Sequence, residues 1–247
     1  MFEVIFAGLT CKDPTYPESI EDSILFGIDR SLIAISDGAS ESFDSKTWSD
    51  LLVKKFTEDP LINESWLDSL QAEYFTKYDL STLSWSKLSS FERGSFAALL
   101  GIRELKTGSI EISAIGDCQL FIIDSQEQIK FRHPYFFSTE FFNRPKLLST
   151  KKELNAHIKD ISPITIDINY GDRILMMSDA LACWFMLSDE LGDYSWKQIL
   201  NITSQENLEH FVNMLRVKKE IKVDDVTLVI AQSVDDFNYE LSHTRAI

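Results

Sequence analysis

Four short acidic motifs, spread over almost the whole chain, border apolar runs and constrain the fold more than any other feature. They are Ile20-Glu21-Asp22, Ile35-Ser36-Asp37-Gly38, Met177-Ser178-Asp179 and Val223-Asp224-Asp225-Val226-Thr227. An Asp at the tip of a buried strand is a carboxylate held rigidly at the edge of a core. Several such carboxylates facing one another repel strongly unless cations lie between them. The pattern therefore predicts a site for hard metal ions that is built from distant segments.

The length and composition of the chain predict a single sizeable core. The 247 residues are 44% hydrophobic and 12% aromatic, which is enough to bury one large domain. We expect this domain over residues 1–232 and a polar tail over 233–247. No apolar run approaches the roughly 20 residues that span a bilayer, and the first ten residues lack the basic start and long apolar stretch of a secretory signal. We therefore expect a soluble, cytoplasmic protein.

The charge of the chain excludes two classes of partner. The formal net charge is −15, whereas nucleic-acid binding needs clustered Lys and Arg to displace counterions. An anionic membrane surface is disfavoured for the same reason. The three cysteines, Cys11, Cys118 and Cys183, match no paired metal-knuckle spacing and fit a reducing compartment.

Strand and helix patterns come in blocks along the chain. Strand character is predicted over residues 2–9, 23–28, 31–36, 95–103, 109–115, 119–124, 164–168, 173–177 and 226–231. Helical spacing is predicted over 44–56, 61–78, 180–187, 196–202 and 206–218. Residues 130–160 are irregular and are interpreted as a long surface excursion, a type of loop that is often functional. The block order favours antiparallel sheets covered by helices over a doubly wound parallel sheet.

Six motifs, in this order and at these distances, resemble those of the metal-dependent protein phosphatases of the PP2C type. They are Glu21-Asp22, Ser36-Asp37-Gly38-Ala39, Gly94-Ser95-Phe96-Ala97, Ile115-Gly116-Asp117-Cys118, Ser178-Asp179-Ala180-Leu181 and Asp224-Asp225-Val226-Thr227. The resemblance covers about residues 2–231, which is essentially the whole domain. The resemblance implies an α+β fold, a four-layer αββα sandwich in which two antiparallel sheets are flanked by helix pairs.

The resemblance also implies a dinuclear Mn²⁺ or Mg²⁺ site. Asp37 would bridge the two ions, and the Gly38 carbonyl would contact the second. The remaining implied ligands are Asp179 and Asp224 for the first ion, Glu21 or Asp22 for the second, and Asp117 for a weak third. Ligation by oxygen alone suits Mg²⁺ or Mn²⁺ better than zinc.

The implied reaction is hydrolysis of a phosphomonoester by a water that two metal ions activate. Asp37, Asp179 and Asp224 would carry the catalysis. The implied substrate is a protein phosphorylated on serine or threonine, with a Ser/Thr kinase as the opposing partner, and we expect a monomer.

Several positions depart from the family pattern. Pro17 stands where the family often has a phosphate-binding Arg, so Lys12, Arg144 and Lys146 are the candidates for substrate binding, the latter two in a flap-like part of the 130–160 excursion. Ala180 replaces a Gly, and Cys183 replaces an Asp that would help to hold the third ion. Asp225 replaces an Asn and adds negative charge, which would either tighten metal binding or disturb local hydrogen bonds.

Two other functions fit the same residues. A non-catalytic binding module would retain the fold and use the aromatic stretch Phe136 to Phe142 to engage a partner. Alternatively, the same metal site would hydrolyse a small phosphorylated metabolite.

Overall fold

The computed structural model describes residues 2–28, 30–106 and 108–234. The predicted polar tail lies outside these ranges from residue 235 onwards, and the last strand extends to Ser233. The strands are β1 (Phe2–Thr10), β2 (Ser23–Phe26), β3 (Leu32–Gly38), β4 (Phe96–Lys106), β5 (Ser109–Ile115), β6 (Gln119–Ile123), β7 (Ile129–His133), β8 (Leu148–Ser149), β9 (Ile164–Asp167), β10 (Arg173–Met177) and β11 (Val226–Ser233). The α-helices are α1 (Ser45–Glu58), α2 (Glu64–Thr76), α3 (Trp85–Arg93), α4 (Asp179–Leu191) and α5 (Gln205–Lys218).

The strands form two antiparallel sheets. One sheet has the order β1-β11-β10-β6-β7, and the other has the order β2-β3-β4-β5-β9 with the short β8 paired to the start of β4. In the first sheet, β1 pairs directly with β11, although they are the first and last strands of the described chain, and Thr10 lies opposite Val226. Strand β10 lies between β11 and β6, where Met177 is opposite both Leu228 and Gln119.

Strands in the middle of both sheets bury both of their faces. In β10, Ile174 and Met176 belong to the cluster between the sheets, whereas Leu175 and Met177 belong to the cluster under α4 and α5. In β3, Ile33 and Ile35 point to the inter-sheet core, and Ala34 lies against the cluster that contains α1 and α2. This arrangement explains why these strands read as continuous apolar runs rather than as an alternation.

The helices cover the outer faces of the two sheets. Helices α4 and α5 pack with Trp196, Ile199 and Leu200 on the first sheet, whereas α1 and α2 pack on the second. The order of layers is therefore helices, sheet, sheet, helices. The predicted α+β, four-layer αββα sandwich is confirmed.

Three local predictions need correction. Strand β7 occupies 129–133, within and just before the segment interpreted as an irregular excursion, and pairs with β6. Helix α3 was not predicted, because it has only nine residues and Phe91 is its one buried side chain. Residues 195–201 form a 3₁₀-helix rather than an α-helix.

Helix α2 begins at Glu64, three residues later than predicted, because the Asn63 side chain accepts a hydrogen bond from the Trp66 N–H and caps the helix. Among the residues that the structure describes, no helix is both long and apolar enough to cross a bilayer.

Candidate metal centre

The acidic motifs meet at one end of the two sheets. Asp37 is the penultimate residue of β3, and Asp117 follows β5. Asp179 begins α4 shortly after β10, and Asp224 precedes β11. These positions lie around one cavity of about 1130 Å³. All predicted site residues except Glu21 and Asp22 line it: Lys12, Asp37, Gly38, Asp117, Arg144, Lys146, Asp179 and Asp224.

Strand register places these carboxylates together. Asp37 is opposite Ala98 in β4, and the next residue of β4, Leu99, is opposite Ile115 at the end of β5. In the other sheet, the Ser178 N–H donates to the Thr227 carbonyl, and this bond holds the end of β10 beside the start of β11. The same sheet end thus presents carboxylates from both sheets.

Asp37 is a buried carboxyl surrounded by the other acidic residues of this group. Burial is the first cause of a pKa well above the usual range for Asp37, and the charges of Asp22, Asp179, Asp117 and Asp224 are the next causes. Burial, followed by the charge of Asp179, raises the pKa of Asp117 to about 7. Clustered carboxylates with raised pKa values are the electrostatic pattern that a divalent cation relieves.

Asp22 is 1% exposed and lies behind the cavity wall. Its Oδ2 accepts a hydrogen bond from the Thr227 hydroxyl at 2.6 Å, and its Oδ1 has no hydrogen-bond partner. Burial first, and then the charges of Asp225 and Asp179, raise the pKa of Asp22 to about 7. The carboxyl therefore has one oxygen committed to the protein and one that is not.

Glu21 is bonded to the protein through both carboxylate oxygens. Its Oε2 accepts from the Lys12 ammonium and from the Ser40 hydroxyl, and its Oε1 accepts from the Ser45 hydroxyl. Lys12, which the sequence analysis assigned to substrate binding, therefore lines the cavity as the ion-pair partner of Glu21. A metal ion at Glu21 would have to compete with these donors.

Asp225 has a structural role at this departure from the family pattern. Its Oδ1 accepts from the Lys12 N–H and its Oδ2 from the Glu21 N–H, both at 2.7 Å. Asp225 is 3% exposed, so its carboxylate holds the β1–β2 connection against the start of β11. Its charge stabilises local hydrogen bonds instead of disturbing them.

Two glycines permit the close approach of backbones at this end of the sheets. A Cβ at Gly38 would lie 2.8 Å from the Glu21 carbonyl oxygen and 2.9 Å from the Ser45 Cβ. Gly116, just before Asp117, has φ +98°, and a Cβ there would lie 2.6 Å from the Ala98 Cβ. Both positions therefore require glycine.

The departures in α4 are accommodated without strain. Ala180 is 3% exposed and packs in the core under α4. Cys183 is half-buried, and burial followed by the charge of Asp179 raises the pKa of its thiol. A protonated thiol does not replace the carboxylate that the family pattern has at this position, which leaves Asp117 as the predicted ligand of a third ion.

The chemistry of the donors fits hard divalent cations. The cluster offers carboxylate oxygens and the Gly38 backbone, and the buried Asp179 Oδ1 and Asp22 Oδ1 have no protein partner. Within the described ranges, however, no three Asp, Glu, Cys or His side chains form a ready-made ion site.

Known structures share this architecture over nearly the whole chain. The photosystem II phosphatase PBCP matches with a TM-score of 0.60 and 19% identity over 94% of this chain and 98% of that one. The Mycobacterium tuberculosis serine/threonine phosphatase PstP/Ppp matches with a TM-score of 0.60 and 15% identity, over 95% of this chain and 98% of that one. Stp1 from Staphylococcus aureus matches with a TM-score of 0.58 and 15% identity, over 94% of this chain and 95% of that one. The chain has the fold of these phosphatases. No protein-family model and no curated protein matches the sequence.

Three further charged or titratable residues that are not among the predicted site residues line the cavity. Arg93 lines the cavity beside the Gly94-Ser95 motif, His157 lines it from the 130–160 segment, and Lys222 lies two residues before Asp224. Arg93 and Lys222 could have been found as basic residues immediately preceding a matched motif.

The cations of the cavity fall into two groups. Lys12 and Lys222 form ion pairs with carboxylates of the cluster. Arg93, Arg144 and Lys146 are exposed and, among the described residues, none of them has a carboxylate within ion-pair distance. The cavity therefore combines an acidic floor with a rim that carries unpaired positive charge.

Proposed function

We propose that this protein is a metal-dependent phosphomonoester hydrolase that acts on proteins phosphorylated on serine or threonine. The observation that carries the proposal is the convergence of Asp37, Asp117, Asp179 and Asp224 on one cavity, at the end of a fold that named serine/threonine phosphatases share. One structure of PstP is described as a complex with two manganese ions, which supports the choice of Mn²⁺ or Mg²⁺ for this chain.

In this proposal, the roles of the residues follow the order of the motifs. Asp37 and the Gly38 carbonyl hold two ions, Asp179 and Asp224 complete the site of the first, and Glu21 or Asp22 that of the second. When bound, such ions lower the pKa of water and neutralise charge on the phosphoryl oxygens. Asp117 is the proposed ligand of a weak third ion.

The positive rim supports binding of a phosphorylated substrate. Arg93, Arg144 and Lys146 surround an acidic floor and attract an anionic group that the floor alone would repel. Because Pro17 provides no guanidinium, we assign phosphate orientation to these rim residues, and Lys12 contributes where it is released from Glu21. A cytoplasmic location, a monomeric state and an opposing Ser/Thr kinase remain predictions.

The decisive experiment compares wild type and Asp37→Asn in hydrolysis of p-nitrophenyl phosphate and of a phosphothreonine peptide, with Mn²⁺, Mg²⁺ or EDTA. We expect turnover that requires a divalent ion and falls at least a hundredfold in Asp37→Asn. Asp68→Asn is the matched control, because Asp68 is exposed on α2 and pairs with Lys152 outside the cavity. Equal turnover by wild type and Asp37→Asn, or turnover unaffected by EDTA, would contradict the proposal.

A second candidate function is a non-catalytic binding module, and the exposure of three aromatic side chains favours it. Phe136, Phe137 and Phe142 are 58%, 64% and 82% exposed in the segment next to the cavity. A folded protein without turnover in saturating Mn²⁺ that still binds the phosphopeptide would support this function. The third alternative is hydrolysis of a small phosphorylated metabolite at the same site. A substrate panel that contains both phosphopeptides and such metabolites distinguishes it from the proposed function.

A further inference from the structure

The Lys222 side chain connects two carboxylates of the cavity floor. Its Nζ lies 2.6 Å from Asp224 Oδ2 and 3.3 Å from Asp179 Oδ2. These carboxylates come from separate elements, since Asp179 begins α4 and Asp224 precedes β11. One ammonium group thus bridges both residues that are proposed to hold the first ion.

The backbone around Lys222 is anchored on both sides. Before it, Ile221 is 7% exposed and packs in the core under α4 and α5. After it, the Arg216 guanidinium donates to the Asp224 carbonyl at 2.6 Å and to the Cys11 carbonyl at 2.9 Å. The Lys222 side chain itself is 64% exposed. The backbone of Lys222 is therefore held in place, whereas its exposed side chain has room to change rotamer.

The charge balance of the floor depends on this lysine. Lys222 forms ion pairs with both Asp179 and Asp224. At the other side of the cavity floor, Lys12 forms an ion pair with Glu21. Each of the two proposed ion positions therefore has a lysine ammonium on at least one of its carboxylates.

We propose that Lys222 is a built-in cation that holds Asp179 and Asp224 together without metal, and that a divalent ion must displace it in order to bind. The proposal rests on the metal dependence proposed above. An ammonium and a divalent ion cannot share the space between these oxygens, and like charges at that distance repel. The affinity of the site for metal is therefore reduced by the free energy of the lysine contacts.

The test is Mn²⁺ binding measured by isothermal titration calorimetry, together with thermal unfolding in EDTA. We expect Lys222→Met to bind Mn²⁺ at least tenfold more tightly than wild type, because no ammonium has to leave. In EDTA we expect the same variant to unfold at a lower temperature, because Asp179 and Asp224 then repel each other without compensation. These opposite changes separate a displaced cation from a general loss of structure.

Three variants serve as controls. Lys218→Met removes an exposed charge from the end of α5 without touching the cavity, and we expect no change in either measurement. Lys222→Arg keeps a cation and should bind Mn²⁺ no more tightly than wild type. Lys222→Gln keeps a polar stem and should behave as Lys222→Met if that variant is too unstable to measure.

The outcomes distinguish this inference from the proposed function. Equal or weaker Mn²⁺ binding by both Lys222→Met and Lys222→Gln, in a site that binds Mn²⁺ in wild type, would overturn the role of Lys222 alone. Absence of Mn²⁺ binding in all of the variants would overturn both proposals. Binding by Lys222→Met without binding by wild type would support the displacement in its strongest form.

Discussion

Replacing Asp22 by Asn should stabilise the metal-free protein, by an amount that depends on pH. Asp22 is 1% exposed, and its Oδ2 accepts a hydrogen bond from the Thr227 hydroxyl. The Asn amide oxygen can accept the same bond while the side chain stays neutral. The substitution therefore removes the burden of a buried negative charge and keeps the local geometry.

The expected size of this effect follows from the pKa of Asp22. That pKa is raised from 3.8 to about 7, chiefly by burial. At about 1.36 kcal/mol for each pKa unit, this shift corresponds to a destabilisation of the folded state by about 4 kcal/mol when Asp22 is ionised. Because the folded pKa lies above the unfolded one, the contribution of Asp22 to the free energy of unfolding is fully present below about pH 4. It is then lost as the pH rises to about 7. We expect the free energy of unfolding of Asp22→Asn to exceed that of wild type by about 4 kcal/mol at pH 8 and by about half of that at pH 5.5.

The assay is urea unfolding in EDTA at these two pH values, followed by tryptophan fluorescence and circular dichroism. Asp117 also has a raised pKa, but it is present in both proteins. Because the charge of Asp22 also raises the pKa of Asp37, the difference between the proteins measures Asp22 together with its repulsion of Asp37. Asp68→Asn, on the exposed face of α2, should show no gain at either pH. A gain of the same size at pH 5.5 and pH 8, or a loss at pH 8, would refute the reasoning.

Two further substitutions test the support of the cavity floor. Asp225→Asn places an amide NH₂ against one of the two N–H donors that Asp225 now accepts, and we expect a loss of about 1.5–3 kcal/mol in the free energy of unfolding. Urea denaturation at pH 7 measures it, and a loss below about 0.5 kcal/mol would show that these bonds contribute little. Gly38→Ala pushes a Cβ to 2.8 Å from the Glu21 carbonyl oxygen, and we expect a loss of about 1–3 kcal/mol. Differential scanning calorimetry should show a lower melting temperature, and an unchanged value would mean that this backbone moves apart at no cost.

The strand tips of the site could be predicted from the sequence because they carry two signals at once. The apolar runs before Asp37 and Asp179 are continuous, as buried strands require, and a Ser-Asp pair follows each of them. Strand pairing brings Asp37 and Asp117 to one edge of the second sheet, and Asp179 and Asp224 to one edge of the first. The packing of the two sheets then brings these edges together. The block order of the elements predicted antiparallel sheets covered by helices, and the four-layer arrangement was implied by the resemblance of the motifs.

The sequence could not predict which partners the side chains choose. Glu21 and Asp225 are separated by about 200 positions, and the bond from the Glu21 N–H to Asp225 exists only in the folded chain. The pairing of Lys222 with two carboxylates is likewise set by the loop that Arg216 anchors. Such contacts depend on a few ångströms of backbone placement, which periodicity does not encode.

The elements that were missed are short and bury few side chains. Helix α3 has nine residues, of which Phe91 alone is buried, and Trp85 is 85% exposed. In β7 the residues are half-buried or exposed at the edge of its sheet. Periodicity detects elements that bury a face, and these two bury little.

The pairing of β1 with β11 has a consequence for synthesis on the ribosome. Strand β1 leaves the ribosome early, but its neighbour in the sheet is the last strand of the domain. At translation rates of roughly 5–20 residues per second, the roughly 200 intervening positions take roughly 10–40 s. During that interval the hydrogen-bonding edge of β1 has no native strand partner, and an unpaired edge is open to pairing with another chain.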